Sequence, residues 1–332
     1  MTVLYSQNMK TSKNLILSVF LTPITVVCFL SAAFAGQYAE SGVEMSLQKI
    51  SEHVFYVQGV AGVATDNEGF ISNATAIITD EGIVVVDALG TPSLAVLFME
   101  KLRAISDLPV VMVIATHYHA DHIYGLQAFK EQGATIVAPA GFREYLDAPI
   151  AAERLEERQF TLDPWVNENT YLVEPDKVID KNTRFTFGNI DLELIYLGQA
   201  HSDGDLSVLV KPDQVLISGD LIFEGRVPFT GSADTAHWLA LLQSLDNTEL
   251  VALVPGHGPV GNDPNAAIEL TSRYLQVVRA VMKEAVDEFT DFDEAFAAAD
   301  WSEFESLPAF EAAHRGNAYG IYLSIEKESL AE

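Results

Sequence analysis

The chain has 332 residues, of which 49% are hydrophobic, and its 47 acidic residues against 19 basic ones give a formal net charge of −28. This length and hydrophobic content are typical of a globular protein with one large domain or two small ones. So acidic a chain repels phosphate backbones, which argues against a nucleic-acid partner.

The first 35 residues have the pattern of an exported signal peptide, with Lys10 and Lys13 ahead of a long apolar run that ends in small residues. We expect cleavage after Ala35, which would leave a periplasmic or secreted protein with no stable membrane insertion. An uncleaved anchor is the alternative, because the apolar stretch at 15–30 approaches the roughly 20 residues that span a membrane.

Cys28 is the only cysteine of the chain and lies inside this predicted signal peptide. The mature chain would therefore contain no disulfide and no cysteine metal ligand. Any metal site must then be built from histidines and carboxylates.

Hydrophobic periodicity after the signal peptide predicts an α/β fold that begins with short strands. A helix at 92–105 precedes a fully apolar strand at 110–115, which runs directly into a polar cluster at 117–122. Because loops at the carboxyl ends of buried strands gather functional groups on a rigid scaffold, we expect a site there. The predicted strands are 54–60, 74–79, 82–86, 110–115, 185–187, 190–197, 207–211, 215–218 and 251–255.

The segment at 141–177 is less regular than its surroundings. It contains a charged run at 153–158 that favours a helix, followed by a loop around Trp165. The indole of Trp165 either covers an active site or pins its own loop.

Helical spacing dominates the C-terminal part, with helices predicted at 235–245, 265–289 and 304–326. We therefore divide the chain into a signal peptide at 1–35, a core at 36–263 and a helical C-terminal extension at 264–332 that packs on the core. His314 and Arg315, within the extension, have no partner cluster nearby in sequence, and we interpret both as structural.

The polar cluster offers four metal-ligand side chains within six positions: His117, His119, Asp121 and His122. In an extended segment, both rings of a His-x-His pair can turn to one side and hold an ion. Asp121 and His122 then offer a second set of ligands. A lone His-x-His pair would be weak evidence, but four such residues directly after a buried strand indicate a metal site.

Three further candidates, His201, Asp220 and His257, stand in glycine-rich surroundings later in the chain. Glycine lets the backbone approach a compact site closely, and the neighbouring predicted strands supply rigidity. We expect these residues to converge on the cluster at 117–122.

With these motifs, the sequence resembles the metallo-β-lactamase-fold hydrolase superfamily over nearly all of the predicted mature chain. The resemblance implies a four-layer αβ/βα sandwich with the metals at one edge between two sheets. It also implies two zinc ions per chain, one on His117, His119 and His201 and one on Asp121, His122 and His257, with Asp220 bridging. Iron or manganese is the alternative metal.

The aspartate at 220 departs from familiar metallo-β-lactamases, where one major group has a cysteine, and it looks more like glyoxalase II. The stretch from Gly219 to Gly231 is similar to an exported branch associated with sulfur-oxidation or quinoprotein systems. These two features leave the substrate open.

The expected chemistry is attack by a metal-bridging hydroxide on a carbonyl of a small-molecule substrate, with Asp121 as the proton acceptor. A β-lactam is the leading substrate, because export would place the enzyme where such compounds act. The alternatives are a thioester or ester hydrolase of glyoxalase II type, a di-iron oxidoreductase and a non-catalytic metal-binding protein.

Other polar residues near the motifs are assigned roles away from the substrate. Tyr118, Ser202 and Arg226 are expected to pack or to orient ligands. His53 and His237 match no motif position and are expected to be ordinary histidines.

Overall fold

The computed structural model describes residues 2, 37–245, 249–261 and 263–331. The predicted signal peptide at 1–35 lies outside the described residues, Thr2 excepted. Tyr38–Glu332 forms one compact unit, and it is the unit described below. No helix among the described residues is long and apolar enough to cross a membrane.

Strands and helices alternate along the described part of this unit. The strands are β1 (Leu47–Lys49), β2 (Val54–Val57), β3 (Ala74–Thr79), β4 (Gly82–Val86), β5 (Val110–Ile114), β6 (Thr135–Pro139), β7 (Lys177–Ile179), β8 (Thr183–Phe187), β9 (Ile190–Gly198), β10 (Asp205–Lys211), β11 (Val215–Phe223) and β12 (Ala252–His257). The helices are α1 (Pro92–Arg103), α2 (Ala120–Ile123), α3 (Leu126–Glu131), α4 (Ala140–Asp147), α5 (Pro149–Thr161), α6 (Thr235–Ser244), α7 (Pro264–Asp287), α8 (Phe292–Ala298) and α9 (Phe310–Ala331).

The described strands form two sheets, one in the order β1 to β7 and the other in the order β12-β11-β10-β9-β8. Pairing in the first sheet is antiparallel up to β4 and parallel from β4 to β7. In the second sheet only β11 and β12 are parallel. The carboxyl ends of β4 and β5 therefore meet at one edge of the first sheet, and those of β11 and β12 meet at one edge of the second.

The two sheets face each other across an apolar layer. Alternation along β9 turns Ile190, Leu192 and Leu194 to this layer, where they join Val84 and Ile114 of the first sheet. Burying every second side chain is what a strand period of two requires of a sheet with one face on the core.

Helices cover the outer face of each sheet. Apolar side chains of α1 and α3 pack on the first sheet, and those of α6, α7 and α9 pack on the second. The result is the α/β four-layer αβ/βα sandwich with C-terminal helices that the sequence predicts.

Local sequence explains where individual elements begin. The side chain of Thr91 accepts a hydrogen bond from the Leu94 backbone N–H at 3.1 Å, and Pro92 occupies the first turn, so α1 begins with a capped end. The helix expected at 304–326 instead begins at Phe310. Pro308 and the left-handed backbone of Ala309 separate it from the turns before it.

Two strands that carry predicted ligands extend beyond their predicted carboxyl ends. The strand expected at 215–218 continues to Phe223, and the strand expected at 251–255 continues to His257. Asp220 and His257 therefore lie within β11 and β12 rather than after them. The register between these strands shifts around Gly219, which adopts a left-handed φ of 53°.

Candidate metal centre

The first group of predicted ligands follows β5. The chain leaves the strand at Ile114, bends at the buried Thr116 and His117, and becomes extended at His119 before α2 begins. Asp121 and His122 lie in the first turn of α2. A short connection between β5 and α2 thus presents four ligand-type side chains from neighbouring positions.

The second group comes from the second sheet. His201 lies in the loop between β9 and β10, whereas Asp220 and His257 lie in the paired strands β11 and β12. Glycine is required beside them, because a Cβ on Gly256 would lie 1.9 Å from Asp220 Oδ1 and one on Gly219 would lie 2.6 Å from Thr116. Without side chains at these positions, β12 can pack closely on β11 at Gly256, and β11 can approach the end of the first sheet at Gly219.

All seven predicted residues come together in two adjoining groups, each of which can hold a metal ion: His117, His119, His201 and Asp220, and then Asp121, His122 and His257. In the first group, His119 Nδ1 lies 3.0 Å from His117 Nε2 and 2.9 Å from His201 Nε2. Asp220 Oδ2 lies 3.8 Å from His117 Nε2 and 3.3 Å from His201 Nε2.

Asp220 connects the two groups. Its Oδ1 lies 3.3 Å from His122 Nε2, and its Oδ2 lies 3.3 Å from His257 Nε2. Asp121 Oδ2 closes the second group, at 3.5 Å from His122 Nε2 and 3.2 Å from His257 Nε2. The carboxylate of Asp220 thus lies between the two groups, with an oxygen near a histidine of the second group on each side.

These separations fit a tetrahedral cation. Ligand atoms about 2.0–2.1 Å from a zinc ion lie about 3.3 Å from one another, close to the spacings of 2.9–3.8 Å within the two groups. His122 Nε2 and Asp220 Oδ1 are buried and have no hydrogen-bond partner among the described residues. Buried polar atoms without partners are costly, so converging lone pairs of this kind suit a metal ion.

Hydrogen bonds set the tautomers of three ligands. An ionised carboxylate only accepts, so His122 Nδ1 donates to Asp87 Oδ2 at 2.9 Å, and its Nε2 faces the cluster. The hydroxyl of Thr116 donates to the same Asp87 oxygen and can accept from His117 Nδ1 at 3.0 Å. His257 Nδ1 donates to the Ile71 carbonyl at 2.7 Å. Each arrangement leaves Nε2 free to bind a metal.

Burial and charge act in opposite directions within the cluster. Burial lowers the pKa of His117 well below its usual value and lowers the pKa of His201 to about 3, which keeps both rings neutral. Burial also opposes protonation of His122, but the carboxylates of Asp220, Asp121 and Asp87 raise its pKa well above the usual value. The carboxylates therefore favour positive charge at their centre, which a cation would supply.

The sequence does not single out the residues that support the ligands. Asp87, directly after β4, is buried and accepts a hydrogen bond from the Thr116 backbone N–H at 2.8 Å. Asn73 donates to the Pro255 and Gly258 carbonyls, both at 2.8 Å, and so fixes the end of β12 to the first sheet. The position of Asp87 at a strand end is the one sequence signal that could have identified it.

A cavity of about 800 Å³ opens over the cluster. Tyr118 and Arg226, which were expected to act away from the substrate, both line it. Arg226 is only 7% exposed, and its Nη1 lies 3.4 Å from His257 Nδ1. The other lining residues include Val63, Tyr145, Ile150, Arg154, Arg158, Phe223, Phe229 and Ala313.

The other polar residues that the sequence analysis considered do not line the cavity over the cluster. Ser202 is buried and donates to Asp205 at 2.8 Å. His53 pairs with Asp213 at 2.7 Å, and His237 bonds the Gln199 carbonyl at 2.5 Å. Trp165 donates to the Glu40 carbonyl at 3.2 Å and does not line the cavity described above, so it fixes its own loop to the N-terminal segment.

His314 is buried among aromatic rings in α9, and its Nδ1 lies 2.9 Å from the Tyr274 hydroxyl. Arg315 is paired with Asp293 at 2.6 Å. Both contacts join C-terminal helices, in agreement with a structural role.

The sandwich fold and the His/Asp cluster at its edge define a metal-dependent hydrolase. The family model described as the Metallo-beta-lactamase superfamily matches residues 67–257, a span that holds all seven clustered residues. The chain belongs to the metallo-β-lactamase superfamily, whose members bind metal ions.

Known relatives agree with this assignment. The chain is 28% identical to the type 2 metallo-beta-lactamase of Bacillus cereus over 200 residues, which cover 59% of this chain and 70% of that protein. A metallo-beta-lactamase from Pontibacter korlensis has a similar fold, with a TM-score of 0.56 and 22% identity over 70% of this chain and 99% of that one. A stereoselective inverting sec-alkylsulfatase from Pseudomonas sp. gives a TM-score of 0.66 and 17% identity over 84% of this chain and 50% of that one.

Proposed function

We propose that the chain is an exported two-zinc hydrolase that cleaves a bond to a carbonyl carbon, with a β-lactam as the leading substrate. The observation that carries this proposal is the double ligand group joined by Asp220, at the floor of a cavity large enough for a drug-sized molecule. Cleavage after Ala35 and a functional core at 36–263 with a supporting extension at 264–332 are part of the same proposal.

The first ion would be held by His117, His119 and His201, the second by Asp121, His122 and His257, and both by Asp220. Bound metal ions of this kind polarise a carbonyl and lower the pKa of a water from about 15.7 toward about 7. Oxygen and nitrogen donors without thiolate suit zinc, with iron or manganese as the alternatives.

Asp121 is the proposed proton acceptor. Its side chain is 20% exposed and lines the cavity, whereas the Asp220 side chain is only 3% exposed. Burial alone would raise the pKa of Asp121, but His122 and His257 hold it well below its usual value. The carboxylate is therefore ionised at neutral pH and, because the side chain lines the cavity, it can take a proton from a nucleophilic water.

Arg226 is suited to bind an anionic group of the substrate. Because His257 Nδ1 donates to Ile71, its contact with Arg226 Nη1 joins two donors and is not a hydrogen bond. Only the Val227 carbonyl, 3.4 Å from Nε, accepts from this guanidinium, and no carboxylate of the described residues lies within ion-pair distance. A largely buried cation at the cavity wall needs an anion, and β-lactam antibiotics carry an acidic group beside the ring nitrogen.

A hydrolysis panel with zinc-loaded mature protein tests the proposal. Nitrocefin and a carbapenem represent β-lactams, and S-acyl thiols represent the thioester alternative, which the aspartate at position 220 favours. Asp121→Asn should reduce kcat by at least about a hundredfold while the fold is kept, because it removes the proton acceptor and a ligand. Asp203→Asn, which alters a cavity carboxylate held by the Tyr118 hydroxyl at 2.9 Å, is the matched control.

The panel separates the readings of the site. Turnover of β-lactams that chelation abolishes and zinc restores supports the leading substrate. Turnover of thioesters alone would reject the β-lactam substrate and support a thioesterase activity of glyoxalase II type. A secondary alkyl sulfate belongs in the panel because of the alkylsulfatase neighbour, and turnover of it alone would refute carbonyl chemistry. Iron in the purified protein together with O₂ consumption would favour the oxidoreductase alternative.

A further inference from the structure

Helix α5 presents a stripe of side chains to the cavity. Among its side chains only Ala151 is buried, so α5 lies over the surface rather than within the core. Ile150, Arg154 and Arg158 are spaced four residues apart, which places them on one face of the helix. All three line the cavity above the metal-ligand cluster.

The two arginines share a single carboxylate. Arg154 Nη1 donates to Glu157 Oε2 at 3.0 Å, and Arg158 Nη1 lies 3.7 Å from the other oxygen of Glu157, too far for a hydrogen bond. The side chains of Arg154 and Arg158 are 46% and 22% exposed. Most of their ten N–H donors are thus available to a molecule in the cavity, and within the described residues Arg158 makes no side-chain hydrogen bond.

Few acidic groups compete for this position. Glu157 does not line the cavity, and Asp203, which does, accepts from the Tyr118 hydroxyl and from Gln199. Glu144 is an exposed lining residue that forms no ion pair with either arginine among the described residues. Arginines on a cavity wall are notable in a chain with a formal net charge of −28.

The α5 arginines and Arg226 border different parts of the cluster. The Tyr118 ring lies 5.2 Å from the His119 ring and stacks on Tyr145 of α4 at 4.4 Å. Because α4 packs against α5, the wall that carries the two arginines adjoins the His119 side. Arg226, in contrast, lies beside His257 and stands over Phe223 at 5.9 Å.

We propose that Arg154 and Arg158 form a second anion-binding subsite, so that the preferred substrate carries an acid group on its acyl side. This inference rests on the proposed carbonyl hydrolysis and names its substrate class: a molecule with one anion near the leaving group, at Arg226, and a carboxylate or sulfonate on the acyl part, at α5. Ile150 supplies an apolar contact for the portion between the carbonyl and that acid.

Two substrate pairs that differ in one remote acid group test the subsite. Benzylpenicillin and carbenicillin differ by a side-chain carboxylate, and pentanoyl and glutaryl thioesters differ by a terminal one. For the hydrolysed pair, we expect kcat/KM to favour the acidic member about five- to tenfold, since charge-assisted hydrogen bonds are strong but these arginines are partly exposed. The Arg154→Gln/Arg158→Gln protein should lose this preference and retain turnover of the other member within about twofold.

Arg143→Gln is the matched control, because Arg143 is an exposed arginine of α4 that does not line the cavity. It removes one positive charge outside the cavity and should leave the preference unchanged. The Arg154→Lys/Arg158→Lys protein keeps the charge and should retain part of the preference. Equal kcat/KM for both members in the wild-type protein, or a preference that survives the glutamine substitutions, would overturn the inference.

Failure of the proposed function gives a different result. If neither pair is hydrolysed, carbonyl hydrolysis of these classes is refuted, and calorimetric binding of the two penicillins to zinc-loaded protein still tests the subsite. Tighter binding of carbenicillin that disappears in the glutamine variant supports the arginines. Equal binding of the two penicillins rejects them.

Discussion

Replacing Asp87 with Asn should weaken metal binding although Asp87 is not itself a predicted ligand. Its carboxylate accepts from the Thr116 backbone N–H at 2.8 Å, from the Thr116 hydroxyl at 2.9 Å and from His122 Nδ1 at 2.9 Å. An amide NH₂ at one of these oxygen positions meets a donor. If it faces His122, that ring must accept at Nδ1 and carry its proton on Nε2, the atom that faces the metal cluster.

The magnitude follows from these contacts. Removal of a carboxylate that orients a metal-binding histidine costs about 10–100-fold in metal affinity. Each disrupted buried hydrogen bond costs about 1–3 kcal/mol of the free energy of unfolding. Competitive zinc titration against a chromophoric chelator measures the affinity, and urea unfolding of metal-free protein measures the stability.

Asp213 offers a matched control at a distance from the cluster. It accepts from His53 Nδ1 at 2.7 Å and from the His53 backbone N–H at 3.0 Å, so it reproduces the aspartate–histidine pair without a metal. Asp213→Asn should lower the free energy of unfolding and leave zinc affinity within about twofold. Wild-type zinc affinity in Asp87→Asn, or an equal loss in Asp213→Asn, would refute the reasoning.

Three further predictions concern other parts of the molecule. Gly256→Ala places a methyl group 1.9 Å from Asp220 Oδ1, so zinc titration should show at least about tenfold weaker binding, and unchanged affinity would contradict the close approach. Burial lowers the pKa of His314 from its usual value to about 4. Between pH 6.5 and about pH 4, His314 is protonated in the unfolded chain but neutral in the folded one. The free energy of unfolding therefore falls as the pH falls. Urea unfolding of chelated protein should show about 2 kcal/mol less stability at pH 5 than at pH 7 from this residue, and His314→Gln should lack that share. Chelation should lower Tm by several degrees and zinc should restore it, whereas an unchanged Tm would argue against a bound metal.

Sequence reasoning located the strands that carry the site because their residues obey simple periodicities. The strands predicted at 74–79 and 82–86 have the same first and last residues as β3 and β4. The ligand set could be predicted because four of its members are neighbours in sequence and the other three have distinctive glycine contexts. The fold followed from the resemblance these motifs carry.

The rest depends on contacts between distant positions. Asp87 is 35 residues from His122, and Arg226 is 31 residues from His257. Hydrophobic spacing within a segment does not indicate contacts between residues so far apart in sequence. The sequence predicts a charged helix at 153–158, which α5 confirms, but nothing in its spacing shows that Arg154 and Arg158 face a cavity. The start of α9 was placed too early, since the aromatic residues before Pro308 continue the apolar pattern without continuing the helix.

Anomalous diffraction at the zinc absorption edge, from crystals of the mature protein grown with zinc, tests the central proposal most directly. We predict two peaks, each within about 2.0–2.2 Å of its ligand atoms, with Asp220 in contact with both. A single peak, or peaks bound by other residues, would contradict the account. The predicted ligands are His117, His119 and His201 for one ion and Asp121, His122 and His257 for the other.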